Sequence, residues 1–98
     1  MSDIKRDKIA RSLKSKGFVF DKGHGDHDWY YYVHNGKQYR HICAKLSRGS
    51  GYKTYGEGLL RRMILLLRLD TLGEVKRLFE CPMDAVEYKA ILKRKNQI

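Results

Sequence analysis

His27-Asp28-Trp29-Tyr30-Tyr31-Tyr32-Val33-His34-Asn35-Gly36-Lys37-Gln38-Tyr39-Arg40-His41-Ile42-Cys43-Ala44 is the stretch that decides the fold. Two runs rich in aromatic and β-branched residues flank Asn35-Gly36, and Asn-Gly between such runs signals a type I′ hairpin. Strands over 27–33 and 38–44 follow. The turn sets a register with Val33 opposite Gln38, Tyr31 opposite Arg40, Trp29 opposite Ile42 and His27 opposite Ala44. The other face pairs Tyr32 with Tyr39, Tyr30 with His41 and Asp28 with Cys43. Alternation alone does not say which face is core, because both carry large side chains. A bulge near Gly25 would shift the phase at His27. Whichever face stays open carries aromatic rings beside basic or histidine side chains, a surface on which bases can stack. Ordinary packing with wet hydroxyls accounts for most of the seven tyrosines.

Upstream, Asp3 is placed to cap a helix running to about Ser15, with Ile9, Ala10 and Leu13 as a short apolar stripe. Gly17 stands where a helix C-terminal glycine belongs, and Phe18-Val19-Phe20 begins a first strand. Downstream, 45–56 reads as a loop, with three glycines, three cations and no acid. A Leu-rich run over 59–68 is apolar nearly all round its second half, as in a buried central helix. Thr71 and Glu74 have capping-box spacing ahead of Leu72, Val75, Leu78 and Phe79. Asp84 and Glu87 repeat that spacing ahead of Tyr88, Ile91 and Leu92, with Met83 and Tyr88 as a hydrophobic staple. The expected fold is α+β: an α-β-β-β-α unit over 1–68 with a three-stranded antiparallel sheet, and a C-terminal helical pair over 69–98. The whole is read as one domain, the pair serving as scaffold or dimer surface.

The totals narrow the class. Ninety-eight residues with 42% apolar side chains and one proline suit a single small core. No apolar run approaches the ~20 residues of a membrane span, and the first residues lack the apolar core of a signal peptide. The expectation is a cytoplasmic protein without a membrane partner. Cys43 and Cys81 are far apart, and in that compartment they read as buried free thiols. Lysine and arginine number 21 against 11 acids, a formal charge of +10. Lys37, Arg40, Lys45, Arg48, Lys53, Arg61, Arg62 and Arg68 fall in one third of the chain that holds a single acid, Glu57. Solubility does not explain that concentration; a polyanion partner, nucleic acid, does.

Chemistry concentrates in Gly23-His24-Gly25-Asp26-His27-Asp28, between the first and second strands. A plain polar turn uses glycine and aspartate but has no need of two imidazoles, which exchange protons near neutral pH. The loop over 45–56 suits an anion-binding nest and leads into a helix N-terminus, where phosphate is favoured. It lacks the Gly-Lys-Ser/Thr ending of a Walker loop. His24, Asp26, His27 and Asp28 are plausible metal ligands, but neighbours on a strand point to opposite faces and converge only in an irregular turn. No metal or other cofactor is assigned.

With Gly17-Phe18 after a helix, Gly25-x-His27 entering an aromatic strand, a hairpin, a basic loop and a further helix, the chain resembles the HicA-like family of small toxins over roughly residues 8–67. The resemblance implies a fold similar to double-stranded-RNA-binding domains, a metal-independent ribonuclease acting on messenger RNA, and an antitoxin partner that covers the site. Gly25 and His27 match the step holding the family's catalytic histidine, and Gly17 matches its structural glycine. The family's serine is replaced by Asp26, and the helical tail is additional.

RNA supplies its own nucleophile, the 2′-hydroxyl, and a positioned histidine taking that proton contributes roughly 10²–10⁴-fold. His27 is the first candidate, and His24 is the candidate acid for the departing 5′-oxygen. Asp26 and Asp28 would favour a protonated His27, which suits an acid better than a base. Lys22, Lys45, Arg48 and Lys53 are candidates to meet phosphate charge, with Tyr52 beside them in the basic loop. Two further readings remain at this level: a non-catalytic RNA-binding module of the same fold, and a protein-interaction or homodimer-forming domain.

Overall fold

The computed structural model describes residues 3–21, 27–47, 53–80 and 82–98. In chain order the elements are β1 (Ile4–Lys5), α1 (Arg6–Ser15), β2 (Phe18–Asp21), β3 (His27–His34), β4 (Lys37–Ser47), β5 (Thr54–Tyr55), α2 (Glu57–Leu66), α3 (Leu72–Glu80) and α4 (Ala85–Arg94). The fold is α+β, with β2, β3 and β4 in a three-stranded antiparallel sheet of that order. Asn35 and Gly36 have φ of 52° and 77°, the two positive values that a type I′ turn requires.

The hairpin register starts as expected, with Val33 opposite Gln38 and Tyr32 opposite Tyr39, and then slips. Tyr31 faces Cys43 rather than Arg40, and from there Tyr30 faces Ala44, Trp29 faces Lys45, Asp28 faces Leu46 and His27 faces Ser47. Arg40, His41 and Ile42 therefore have no opposite residue in β3. The slip lies at the Tyr31/Tyr32 step; the bulge expected near Gly25 falls outside the described residues. Alternate residues Ile42, Ala44 and Leu46 belong to the buried cluster, whereas Cys43 between them lies opposite Tyr31. The kink in β4 sets this phase, turning Ala44 and Leu46 to the core and Cys43 and Lys45 to the other face.

The core lies on the face of Tyr30 and Tyr32. Phe18 meets Tyr32 edge-on and stacks on Tyr88, while Tyr88 meets Tyr32 edge-on, so α4 seals the sheet at this end. Ile9 and Leu13 of α1 and Val75, Leu78 and Phe79 of α3 belong to the same buried cluster. The last carbonyls of α3 have no partners within their own helix. Lys16, buried, donates from Nζ to the Leu78 carbonyl at 3.3 Å, and Ser12 Oγ donates to that of Phe79. Gly17 has φ of +103°, and a Cβ there would come within 3.2 Å of the Tyr32 ring, so the glycine is required both by conformation and by space.

Three expectations need correcting. Asp3 does not cap α1; Ile4 and Lys5 instead pair with Tyr55 and Thr54, and Lys5 occupies the N-cap without a side-chain bond. Burying Ile4 against the core outweighs a solvent-side cap, and the Arg6 N–H finds the Lys53 carbonyl at 2.8 Å. The 45–56 segment is not loop throughout, since β4 continues to Ser47 and β5 closes the small second sheet. Nor is α2 buried all round: Leu60 and Met63 are inside, but Leu65 is 78% exposed.

The later helix starts form as read. Thr71 Oγ1 accepts from the Glu74 N–H at 3.1 Å and Glu74 Oε1 accepts from the Thr71 N–H at 3.2 Å, a reciprocal capping box. Asp84 accepts from the Glu87 N–H at 2.8 Å, and the staple residues Met83 and Tyr88 are fully buried. Thr71→Ala or Asp84→Ala is expected to lower stability by about 0.5–2 kcal/mol each. Urea titration followed by circular dichroism measures this, with an unchanged slope and a lower midpoint expected.

Candidate functional site

The slip in β4 decides which side chains accompany His27. Directly opposed residues share a face, so His27, Trp29 and Tyr31 of β3 lie with Ser47, Lys45 and Cys43 of β4, away from the tyrosine core. At the His27 end, α2 contacts β4, and a hollow of ≈140 Å³ opens between them. His27, Lys45, Ser47, Tyr55, Leu59, Arg62, Met63 and Leu66 line it. The volume is below the ~300–1,000 Å³ of ordinary small-molecule pockets, so it suits a compact group such as a phosphate rather than a whole nucleotide.

The lining divides by chemistry. Leu59, Met63 and Leu66 of α2 form an apolar wall that lowers the local dielectric and strengthens charge interactions made against it. The Tyr55 hydroxyl accepts from the Ser47 N–H at 2.7 Å, and Arg6 donates to the Ser47 carbonyl at 2.7 Å, which fixes the strand end beside His27. Lys45 and Arg62 bring two positive side chains, and none of the described lining residues is a carboxylate. Asp28, next to His27 in the strand, lines a separate hollow with Arg6, Asp7, Ala10, Tyr30 and Leu46. Burial, and secondarily the Asp28 charge, raises the Tyr30 phenol above its usual pKa.

Among the sequence candidates, His27 and Lys45 are thus brought together, and Gly17 has the structural part expected of it. Lys53 is placed elsewhere, on a hollow of ≈400 Å³ with Lys5, Arg6, Asp7 and Thr54, because the β1–β5 pairing carries it to the start of α1. Lys22, His24, Gly25, Arg48 and Tyr52 lie outside the described residues. Arg62 belongs to the basic third, and its spacing of three from Leu59 and four from Leu66, both half-buried on α2, is the signal that places it beside them. Among the described residues no three histidine, cysteine or carboxylate groups gather in a metal-binding cluster, while His24 and Asp26 of the metal alternative lie outside them.

Outward from the hollow, the open face carries an aromatic stripe. Trp29 and Tyr31 stack with centroids 6.2 Å apart and planes 7° from parallel. Lys45 Nζ stands 5.6 Å from the Trp29 ring centre, and the Arg40 guanidinium 5.0 Å from that of Tyr31. Arg40 also approaches Asp21 at 3.8 Å. Cys43, free and buried beneath this face, has its thiol pushed up by desolvation against the opposing pull of Arg68 and Lys45; Cys81 lies outside the described residues. No helix among the described residues is long and apolar enough to cross a membrane. Comparison with protein-family models, with curated proteins and with solved structures finds no match.

Proposed function

We propose that this chain binds RNA at the hollow beside His27 and breaks its backbone there without a metal, through the ribose 2′-hydroxyl. The observation that carries the reading is the convergence of His27, Lys45 and Arg62 on one phosphate-sized hollow. In the reaction O2′ bonds to phosphorus and the P–O5′ bond breaks. One proton leaves the 2′-hydroxyl and one arrives at O5′, giving a 2′,3′-cyclic phosphate and a 5′-hydroxyl. His27 carries one of these transfers, and His24 is the candidate for the other. Lys45 and Arg62 meet the charge that builds on the phosphoryl oxygens. The run α1-β2-β3-β4 followed by α2 is compatible with the order implied by the resemblance to HicA-like toxins, with the short strands β1 and β5 as additions before α1 and between β4 and α2. A protein partner acting as their antitoxins do would work by filling this hollow.

The test is incubation of single-stranded RNA with the chain in excess EDTA, with product ends identified and binding measured across salt concentrations. Cyclic phosphate ends and affinity that falls with salt are expected. Lys45→Gln and Arg62→Gln should each weaken binding and lower the slope of log K against log salt by about one phosphate contact. Binding without cleavage would leave a non-catalytic RNA-binding module. Absence of both would remove RNA as the partner and favour a protein-interaction domain.

A further inference from the structure

The fold class implied by the resemblance is one that grips duplex RNA, yet the open face of this sheet is built differently. Duplex recognition relies on phosphates and 2′-hydroxyls, because paired bases are stacked on one another and hide their flat faces. Single strands are held by aromatic rings on which unpaired bases stack, beside cations that follow the backbone. Trp29 and Tyr31, near-parallel and half-buried, are such rings, and Lys45 and Arg40 are such cations. We infer that the Lys45-Trp29-Tyr31-Arg40 ladder is a base-stacking platform that selects single-stranded RNA and leads it into the His27 hollow.

Three features carry this inference, which rests on the RNA reading above. First, Lys45 belongs to both places: it lines the hollow and stands over Trp29, so the platform begins where the phosphate site ends. Second, the side chains that seal the sheet, Tyr30, Tyr32 and their partners, lie on the opposite face, while Val19, which faces Tyr31 from β2, is 53% exposed. Third, both cations sit on flexible stems over rings at an exposed surface. A base is the stronger occupant of a ring face than an exposed cation is. Each cation can therefore yield its ring to a base and move to the neighbouring phosphate.

Trp29 is the only tryptophan in the chain, so its emission reports directly on the platform. The intact chain is titrated in EDTA with a mixed-sequence RNA whose 2′-oxygens are methylated to prevent cleavage, either as a single strand or annealed to its complement. The single strand is expected to quench Trp29 emission and to bind more tightly than the duplex. Tyr31→Leu and Trp29→Leu are each expected to weaken single-strand binding roughly 5- to 100-fold, the equivalent of one lost base stack. Should Trp29→Leu fail to fold, the emission of the parent chain and the Tyr31→Leu variant decide the matter. Unchanged emission on binding, equal affinity for the duplex, or unaltered affinity in the Tyr31 variant would each overturn the platform while leaving RNA binding intact. No binding of either form would overturn both.

Discussion

His27→Ala is expected to lower RNA cleavage by roughly 10²–10⁴-fold, the usual contribution of a positioned proton-transfer group, while RNA still binds. The separation follows from the hollow, where Lys45 and Arg62 remain to hold phosphate after the imidazole is removed. His27 is half-buried at the end of β3, opposite Ser47, and lies outside the buried core cluster. Its replacement should therefore move the unfolding midpoint little, within the range of ordinary surface changes. The measurement is single-turnover cleavage in EDTA alongside binding of the same RNA. A variant that cleaves at the parental rate would show that the imidazole takes no part, even if binding and the platform stood.

Tyr88→Ala carries the largest expected effect on stability, about 3–5 kcal/mol. The ring is fully buried between Phe18 and Tyr32, and its hydroxyl donates to the Leu67 carbonyl at 2.7 Å. For a domain of this size that loss is a large share of the ~5–15 kcal/mol total. The milder Tyr88→Phe keeps the packing and leaves the Leu67 carbonyl unmet, at about 1–3 kcal/mol. Alkaline titration distinguishes the hydroxyl from the ring. Burial, then the neighbouring Tyr32 and Cys43, holds the Tyr88 phenol well above 10 in the folded chain. The folded state keeps its proton where the unfolded state releases it, near the ordinary value of ~10. The contribution is therefore full below pH ~10 and is lost as pH rises towards the folded value. The parent should lose stability more steeply above pH ~10 than Tyr88→Phe does. Parallel curves would show that other groups set the alkaline limit.

Both experiments concern features that were unequally legible in the sequence. The hairpin, its Asn35-Gly36 turn and the caps at Thr71 and Asp84 were readable because each depends on neighbours a few positions apart. The β1–β5 pairing was not, since two-residue strands have no periodicity and Ile4 meets Tyr55 from across the chain. The company of His27 was legible in part. A cation from the basic third was expected beside it, and Lys45 is there. Lys53 is not, because a contact formed by tertiary packing carried it away. Arg62 was legible only as one cation of the basic third, and its place beside His27 follows from α2 packing against β4. The slip in β4 was not legible, because the Asn35-Gly36 turn sets only the start of the register.

That slip has a consequence in counting. The residues left over in β4 are an odd number, Arg40, His41 and Ile42, and oddness is what turns Lys45 and Ser47 towards His27 and Ala44 and Leu46 towards the interior. Loss or gain of one residue between Tyr39 and Cys43 would invert the far half of the strand, driving an ammonium into the oily side and a leucine into water. Removing two would shorten the kink yet preserve every orientation beyond it. Length variation at this spot should therefore be tolerated only in pairs.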